Sequence, residues 1–185
     1  MSKRSQSEGF QEFERRPRDF YQTPLEGVMP LLVHLPHRAT FIEPCAGDGR
    51  LVRHLGRYGH RCLYACDILP QPSGSVKIAQ RDILQPPLLP DDHQPLPQAD
   101  YIITNPPWSR ELLHPMIDVF RRQAPTWLLF DAGWMFTGQA KPYLAFCDLI
   151  VNVGRLSWMG NGVSGVDDCC WYRFNDRKSR PVFIP

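Results

Sequence analysis

The stretch Glu43-Pro-Cys-Ala-Gly-Asp-Gly49 joins a predicted strand to a predicted helix. The residues at 40–43 form a short apolar run typical of a buried strand, which the proline and the glycines end. Beyond the stretch, Leu51, Val52 and Leu55 recur at helical spacing. A plain strand–helix connection explains two glycines equally well, but such a turn also lets a ligand approach the backbone at the carboxyl end of a sheet. The stretch therefore predicts an α/β fold with a candidate ligand site at this turn.

The rest of the chain repeats this alternation of strand and helix. Further strands are predicted at 62–66, 76–79, 101–104, 127–130, 149–158 and 170–174. A helix is predicted at 112–122, with Pro115 tolerated only in its first turn, and the proline-rich segment 83–98 is predicted to be an extended surface connection. We expect a Rossmann-like α/β fold: a mostly parallel seven-stranded sheet with an antiparallel edge strand and helices on both faces.

Length and composition limit the classes of protein. The chain has 185 residues, 43% of them hydrophobic, and a net charge of +2, which excludes wholesale disorder and a histone-like binder held by net charge. We predict one domain at 19–176 between a flexible arm at 1–18 and a basic tail at 177–185. No stretch is apolar enough to span a membrane, and six scattered cysteines favour reduced thiols in a cytoplasmic protein. The histidines and cysteines show no spacing that predicts a metal site.

Two acidic residues follow the next predicted strands. Asp67 ends the strand after the glycine turn, where a carboxylate is placed to accept hydrogen bonds from ribose hydroxyls. Asp82 follows the third strand, where it is placed to meet an adenine amino group. The turn lacks the third glycine of a dinucleotide fingerprint and the lysine of a phosphate loop. A nucleoside cofactor without a pyrophosphate therefore fits better than NAD or ATP.

The tetrapeptide Asn105-Pro-Pro-Trp108 follows the fourth predicted strand. Its prolines stiffen the backbone and leave carbonyl groups without competing neighbouring N–H groups. Asn105 adds a side-chain carbonyl, so the cluster is suited to hold an exocyclic amine, and Trp108 offers a flat face for a ring. A structural Pro-Pro turn is the alternative for the motif taken in isolation.

These motifs resemble those of a known enzyme family. Glu43–Gly49 is similar to the S-adenosylmethionine-binding motif of class I methyltransferases, and Asn105–Trp108 is similar to their (D/N)PP(Y/F/W) motif for amino-group methylation. The segment Asp19-Phe-Tyr-Gln-Thr-Pro24 resembles the one that precedes the glycine motif in N6-adenine DNA methyltransferases. The motif order is that of the γ-type enzymes and of small phage or prophage adenine methyltransferases. No large insertion follows Trp108, so strong sequence specificity is not expected.

The resemblance implies a role for each matching residue. The catalytic residues would be Asn105, Pro106, Pro107 and Trp108, with Asn105 and the Pro106 carbonyl accepting both hydrogens of the amine and Trp108 stacking on the base. Arg110 and Lys141 are candidates for contacts with the substrate phosphates. The residues that would bind S-adenosylmethionine are Tyr21, Thr23, Glu43, Pro44, Cys45, Gly47, Gly49, Asp67, Ile68, Asp82, Ile83 and Asn105.

The resemblance implies methyl transfer to the N6 amine of a flipped-out adenine in DNA, with relaxed or short sequence specificity. Methylation of RNA at adenine N6 or guanine N2 is the first alternative, because similar tetrapeptides occur there. Methylation of a protein glutamine and an inactive nucleic-acid-binding module are further alternatives. A homodimer whose partner subunit supplies the recognition surface is an additional hypothesis.

Two other segments leave a choice open. Residues 134–136 follow the fifth strand, and they either form a wall of the substrate cleft or pack in the core. The glycine-rich loop at 160–168 is interpreted either as a lid over the target site or as an ordinary hairpin turn.

Overall fold

The structure, a computed structural model, describes residues 21–85, 96–158, 165 and 167–185. The predicted N-terminal arm at 1–18 lies outside this part of the chain, as do Asp19 and Phe20 of the segment before the glycine motif. Residues 86–95 of the proline-rich connection and residues 159–164 and 166 of the glycine-rich loop also lie outside it.

Strands and helices alternate along the described chain. The helices are α1 (Leu25–Leu32), α2 (Arg50–Arg57), α3 (Arg110–Phe120) and α4 (Lys141–Leu144), and two 3-10 helices span Ala132–Phe136 and Gly138–Ala140. The strands are β1 (Thr40–Glu43), β2 (Arg61–Asp67), β3 (Ala79–Gln80), β4 (Tyr101–Thr104), β5 (Thr126–Asp131), β6 (Cys147–Arg155), β7 (Asp168–Phe174) and β8 (Val182–Ile184).

The strands form one sheet in the order β3-β2-β1-β4-β5-β7-β6-β8. Strand β7 runs antiparallel to both of its neighbours, and the remaining pairings between described strands are parallel. The predicted fold class, a mostly parallel α/β sheet, is confirmed. Two details differ from the prediction: the sheet has eight described strands rather than seven, and the antiparallel strand lies inside the sheet instead of at its edge.

The eighth strand lies in the segment 177–185, which the sequence analysis treats as a basic tail. Val182 aligns with Leu149 and Ile184 with Val151, so β8 extends the sheet in parallel beyond β6. The strand has three residues between Pro181 and Pro185, too few for an alternating pattern to show.

Most of the other element boundaries differ from the predictions by one to three residues, and two of the differences matter for the site. Strand β3 has only two residues, 79–80, whereas the prediction was 76–79. Helix α3 begins at Arg110, so Pro115 lies in its second turn and not in the first turn as predicted. The missing N–H of Pro115 leaves the carbonyl of Glu111, four residues earlier, without its usual helical partner.

The sheet separates two apolar clusters, as the alternating side chains of its central strands show. Phe41, Trp127 and Leu129 pack on one face together with α1 and α2. Ile42 and Leu128 point to the other face, where α3 packs. Helices therefore cover both faces, as predicted, and the loops at the carboxyl ends of the strands remain open for a site.

All six cysteines are free thiols, and four of them are buried. Within the described residues, no helix combines the length and apolarity needed to cross a membrane.

Candidate active site

A cavity of about 1100 Å³ opens at the carboxyl ends of β1, β2 and β4. Because parallel strands end at the same edge of a sheet, the glycine turn, the two acidic loops and the Asn105 loop all reach it. Twelve of the predicted site residues line the cavity: Tyr21, Thr23, Glu43, Pro44, Cys45, Gly47, Asp67, Ile68, Asp82, Ile83, Asn105 and Pro107.

Asp67 fastens the glycine turn to the end of β2. One carboxylate oxygen accepts a hydrogen bond from the backbone N–H of Gly47 at 2.8 Å, and the other accepts one from the N–H of Leu69 at 2.8 Å. Gly47 adopts a positive φ of 53°, which brings its N–H to this position. Each carboxylate oxygen has a second lone pair, so Asp67 can also accept from ligand hydroxyls.

Gly49 is placed behind the turn, outside the residues that line the cavity. Its φ is +73°, and a Cβ at this position would lie 2.9 Å from the Cβ of Val76. Gly49 also forms the N-cap of α2. A glycine is therefore required here by packing, because any larger residue would collide with the segment before β3.

Glu43 is a buried carboxylate in the wall of the cavity, with 2% of its surface exposed. Burial, together with the negative charges of Asp67 and Asp48, holds the pKa of Glu43 well above its ordinary value, although the backbone N–H of Val52 and the charge of Arg53 oppose this. Its Oε2 atom has no hydrogen-bond partner. The neutral form of this carboxyl is therefore favoured, and a cationic or hydrogen-donating ligand near Oε2 would add to the stabilisation of the ionised form that Val52 and Arg53 provide.

Asp48 is a cavity residue that the sequence analysis did not single out. Its Oδ2 accepts a hydrogen bond from Gln22 Nε2 at 2.9 Å, and its Oδ1 accepts one from the backbone N–H of Arg50 at 2.9 Å. The first bond joins the segment before α1 to the glycine turn. Both partners lie in the quoted motifs, yet a polar contact between residues 26 positions apart leaves no local pattern in a sequence.

Asp82 and Ile83 enter the cavity from the loop after β3. The Oδ1 of Asp82 accepts a hydrogen bond from the N–H of Leu84 at 3.0 Å, which fixes the local turn. The N–H of Arg81 donates to the carbonyl of Asp67 at 2.9 Å, so this loop is attached to the end of β2.

The neighbours of Asn105 determine how its side-chain amide is oriented. Its Nδ2 donates to the carbonyl oxygen of Tyr21 at 3.1 Å, and its Oδ1 faces the indole Nε1 of Trp108 at 3.4 Å. A carbonyl can only accept and an indole N–H can only donate, so the opposite amide orientation would place like groups together on both sides. Asn105 therefore presents its oxygen, not its nitrogen, next to Trp108.

Trp108 belongs to an aromatic cluster beside the cavity. Its ring meets Trp158 edge to face, with 5.7 Å between the ring centroids, and Trp158 in turn lies 6.0 Å from the ring of Tyr21. Trp158 follows β6, and the sequence analysis did not assign it a role. Neither Trp108 nor the buried Pro106 is among the residues that line the cavity.

Arg110 and Lys141 lie on the surface, outside the lining of the cavity. Arg110 begins α3, two residues after Trp108, and its guanidinium donates to Gln139 Oε1 at 3.1 Å. Lys141 begins α4. Arg110 therefore directly follows the Asn105 loop, whereas Lys141 lies on a helix that contacts α3 through the stacked rings of Tyr143 and His114.

The arrangement resembles known methyltransferases in fold. Solved structures with a similar fold include a putative RNA methyltransferase from Pyrococcus horikoshii, with 13% identity over 85% of this chain and 86% of that one and a TM-score of 0.58. A putative class I S-adenosylmethionine-dependent methyltransferase from Listeria monocytogenes matches at 10% identity over 96% of this chain and 68% of that one, with a TM-score of 0.54.

The M protein of the type I restriction enzyme EcoKI matches at 13% identity over 84% of this chain, with a TM-score of 0.52. The chain spans 44% of the length of that protein. The sequence matches no family model and no curated protein. The chain therefore has the Rossmann-like fold of class I methyltransferases.

Proposed function

We propose that this protein transfers a methyl group from S-adenosylmethionine to the N6 amine of an adenine in DNA. The observation that carries the proposal is the oriented oxygen of Asn105, which lies at the end of β4 in the same cavity as the glycine turn and its acidic residues. An amine acceptor and a nucleoside-binding turn within one cavity are the two parts that amino methylation requires.

The acidic set of the cavity fits the cofactor. Asp67 retains acceptor capacity for ribose hydroxyls, and Asp82 lies on the neighbouring loop. The unpartnered Oε2 of buried Glu43 suits a ligand that brings positive charge, and the cofactor carries both an ammonium and a sulfonium group. Glu43, Asp67 and Asp82 would therefore hold S-adenosylmethionine, which supplies an activated methyl group when bound.

The chain's own part in the chemistry is to prepare the amine. The N6 lone pair of adenine is delocalised into the ring, so the amine is a poor nucleophile. Acceptance of its two hydrogens by Asn105 Oδ1 and the Pro106 carbonyl draws the lone pair out of conjugation and stabilises the developing positive charge, which is the logic of an oxyanion hole with the sign reversed. Neither acceptor retains a proton at neutral pH, so the proton released by the amine passes to solvent.

Trp108 would hold the target base. An adenine inside a duplex cannot reach a cavity of this kind, so it has to leave the base stack at a cost of about a few kcal/mol. Stacking on an aromatic ring returns roughly 1–3 kcal/mol per base. Trp108 is half-buried, and in this proposal Trp158 fixes its ring while the base stacks on the part of the indole that remains accessible.

The test is nucleoside mass spectrometry after incubation of the protein and S-adenosylmethionine with DNA and, separately, with RNA. We expect N6-methyldeoxyadenosine from DNA, and we expect Asn105→Ala to abolish it while cofactor binding, measured by calorimetry, is weakened but not lost, because Glu43, Asp67 and Asp82 remain. Gln123→Ala, which removes an exposed amide beyond the end of α3, is the matched control and should leave the yield unchanged.

Other outcomes would contradict the proposal in different ways. A methylated ribonucleoside alone would move the substrate to RNA, the polymer for which the putative RNA methyltransferase from Pyrococcus horikoshii is named. If neither polymer gave a product while cofactor binding was intact, the remaining alternatives would be methylation of a protein glutamine and an inactive binding module. Absence of cofactor binding would reject the assignment of the cavity itself.

A further inference from the structure

Phe136 projects from the segment that follows β5. It is 84% exposed, whereas Trp134, two residues earlier, is 2% exposed and Ala140 is fully buried. Strand β5 is the neighbour of β4 in the sheet and runs parallel to it, so this segment begins at the same edge as the Asn105 loop. The sequence analysis left open whether residues 134–136 form a wall of the cleft or pack in the core, and the structure places Trp134 in the core and Phe136 in solvent.

The exposure of Phe136 is not the result of a loose segment. On one side, Trp134 Nε1 donates to His114 Nε2 of α3 at 3.1 Å. On the other side, Gln139 Oε1 accepts from Arg110, also of α3, at 3.1 Å. Helix α3 begins directly after the Asn105 loop, so two contacts to the same helix hold Phe136 in a defined place relative to the candidate site.

Two cations accompany this aromatic side chain. Arg110 and Lys141 are both exposed, and they lie on segments joined to Phe136 through Gln139 and through the chain itself. A protruding aromatic ring on a segment that binds Arg110 through Gln139 and continues into Lys141 fits a polymer of stacked bases with an anionic backbone. An apolar protein surface would not need the two cations.

We propose that Phe136 is a wedge that enters the base stack of duplex DNA at the position the flipped adenine leaves, while Arg110 and Lys141 contact the flanking phosphates. The proposal rests on the proposed function, because only an enzyme that takes a base out of a duplex creates such a gap. An aromatic ring placed in the gap stacks on the neighbouring bases and so replaces part of the stacking that extrusion removes. Phe136 then stabilises the opened duplex, and it adds nothing to the binding of a single strand that needs no opening.

The experiment compares Phe136→Ala with wild type on random-sequence DNA, as a short duplex and as the same strand alone. Affinity is measured by fluorescence anisotropy with S-adenosylhomocysteine present, so this readout does not depend on turnover. We expect roughly tenfold weaker duplex binding, the equivalent of about one lost stacking contact, and unchanged single-strand binding. Phe183→Ala, which removes a 52% exposed phenylalanine from the edge strand β8, is the matched control and should change neither affinity.

Two further measurements sharpen the test. Phe136→Trp keeps a flat ring and should retain duplex binding. In duplexes where the adenines face mismatched bases, opening is easier, and the defect of Phe136→Ala should shrink.

Several results would overturn the wedge. Equal losses on duplex and single strand would make Phe136 a general contact, and unchanged duplex affinity would leave it no role in binding. A change from dimer to monomer without an effect on DNA would assign the ring to a protein interface. If wild type bound the cofactor but neither bound nor methylated duplex DNA, the proposed function would fail and the wedge with it. Wild-type methylation with an unaffected Phe136→Ala variant would reject the wedge alone.

Discussion

Replacement of Glu43 by glutamine should stabilise the protein relative to wild type, and this difference should grow as the pH rises. Burial and the charges of Asp67 and Asp48 raise the pKa of Glu43 in the folded state well above its ordinary value of 4.5. In the unfolded chain the carboxyl ionises near that ordinary value, so the wild-type protein loses stability from about pH 4.5 upward until the folded-state pKa is passed. Glutamine has nearly the same shape and does not titrate, so the variant escapes this loss.

The size of the effect follows from the same linkage. Each pKa unit between the folded and unfolded states is worth about 1.4 kcal/mol of unfolding free energy, which corresponds to roughly 3–5 °C in Tm for a chain of this length. The difference in Tm between Glu43→Gln and wild type should be near zero around pH 4.5, should grow with pH, and should become level once the folded-state carboxyl has ionised. The groups common to both proteins cancel in the difference.

The assay is a set of thermal unfolding curves measured by circular dichroism across this pH range. Glu26→Gln removes an exposed carboxylate from α1 and reports the effect of lost charge alone. Calorimetry adds a second readout, because the variant should lose more affinity for S-adenosylmethionine than for S-adenosylhomocysteine, which lacks the sulfonium charge. A Tm difference that stays constant or falls as the pH rises would refute the reasoning about Glu43.

Three more substitutions, and a fourth that serves as a control, test other contacts in and around the site. Asn105→Asp places a carboxylate oxygen 3.1 Å from the carbonyl of Tyr21, so methyl transfer should fall roughly 5- to 150-fold and partly recover at lower pH, where the protonated carboxyl donates to that carbonyl. Asp67→Asn turns an amide NH2 toward a backbone N–H and should lower the unfolding free energy in urea by about 1–3 kcal/mol. Gly49→Ala should lower the free energy of unfolding by about 2 kcal/mol or more, because φ at this position is +73° and the new Cβ would lie 2.9 Å from Val76. Gly56→Ala, in the helix that Gly49 caps, meets nothing within 4 Å and should raise the free energy of unfolding by about 0.5–1 kcal/mol. Equal effects of the two glycine substitutions, or an unchanged Asp67→Asn or Asn105→Asp variant, would contradict these assignments.

The parts of the fold that were predictable carry a strong local pattern. Strands β1, β4 and β5 are apolar runs with clear punctuation, and helix α2 has a regular apolar stripe. Helix α1 was not predicted, and it contains Pro30 and starts after Pro24. Its stability comes from the tertiary packing of Val28 and Leu31 and from the bond that Trp171 Nε1 donates to the carbonyl of Gly27 at 2.7 Å. The two residues joined by this bond are 144 positions apart, so no pattern in the local sequence predicts it.

The candidate site also has some features that the sequence predicts and others that depend on the fold. The placement of the glycine turn and Asp67 at the cavity was predictable, because it depends on their position at the end of a strand. The orientation of Asn105 was not, because it depends on a backbone carbonyl 84 residues away. The ring that packs against Trp108 belongs to Trp158, which follows β6 and is distant in sequence. The exposure of Phe136 likewise depends on a distant contact, because the bond from Trp134 to His114 of α3 fixes the segment that carries it. Roles set by position along the chain can thus be predicted, whereas roles set by a distant neighbour require the fold.

The place of β7 between β5 and β6 has a consequence for biosynthesis. Strand β5 is almost entirely apolar and buried, and one of its edges is paired only by β7, which the ribosome makes nearly forty residues later. Until residues 168–174 have emerged, this edge presents unpaired backbone groups beside large apolar side chains, which is the pattern that promotes association between chains. Nascent chains that stop before β7 should therefore be recovered in inclusion bodies, whereas chains that include β7 pair the open edge of β5 and should not.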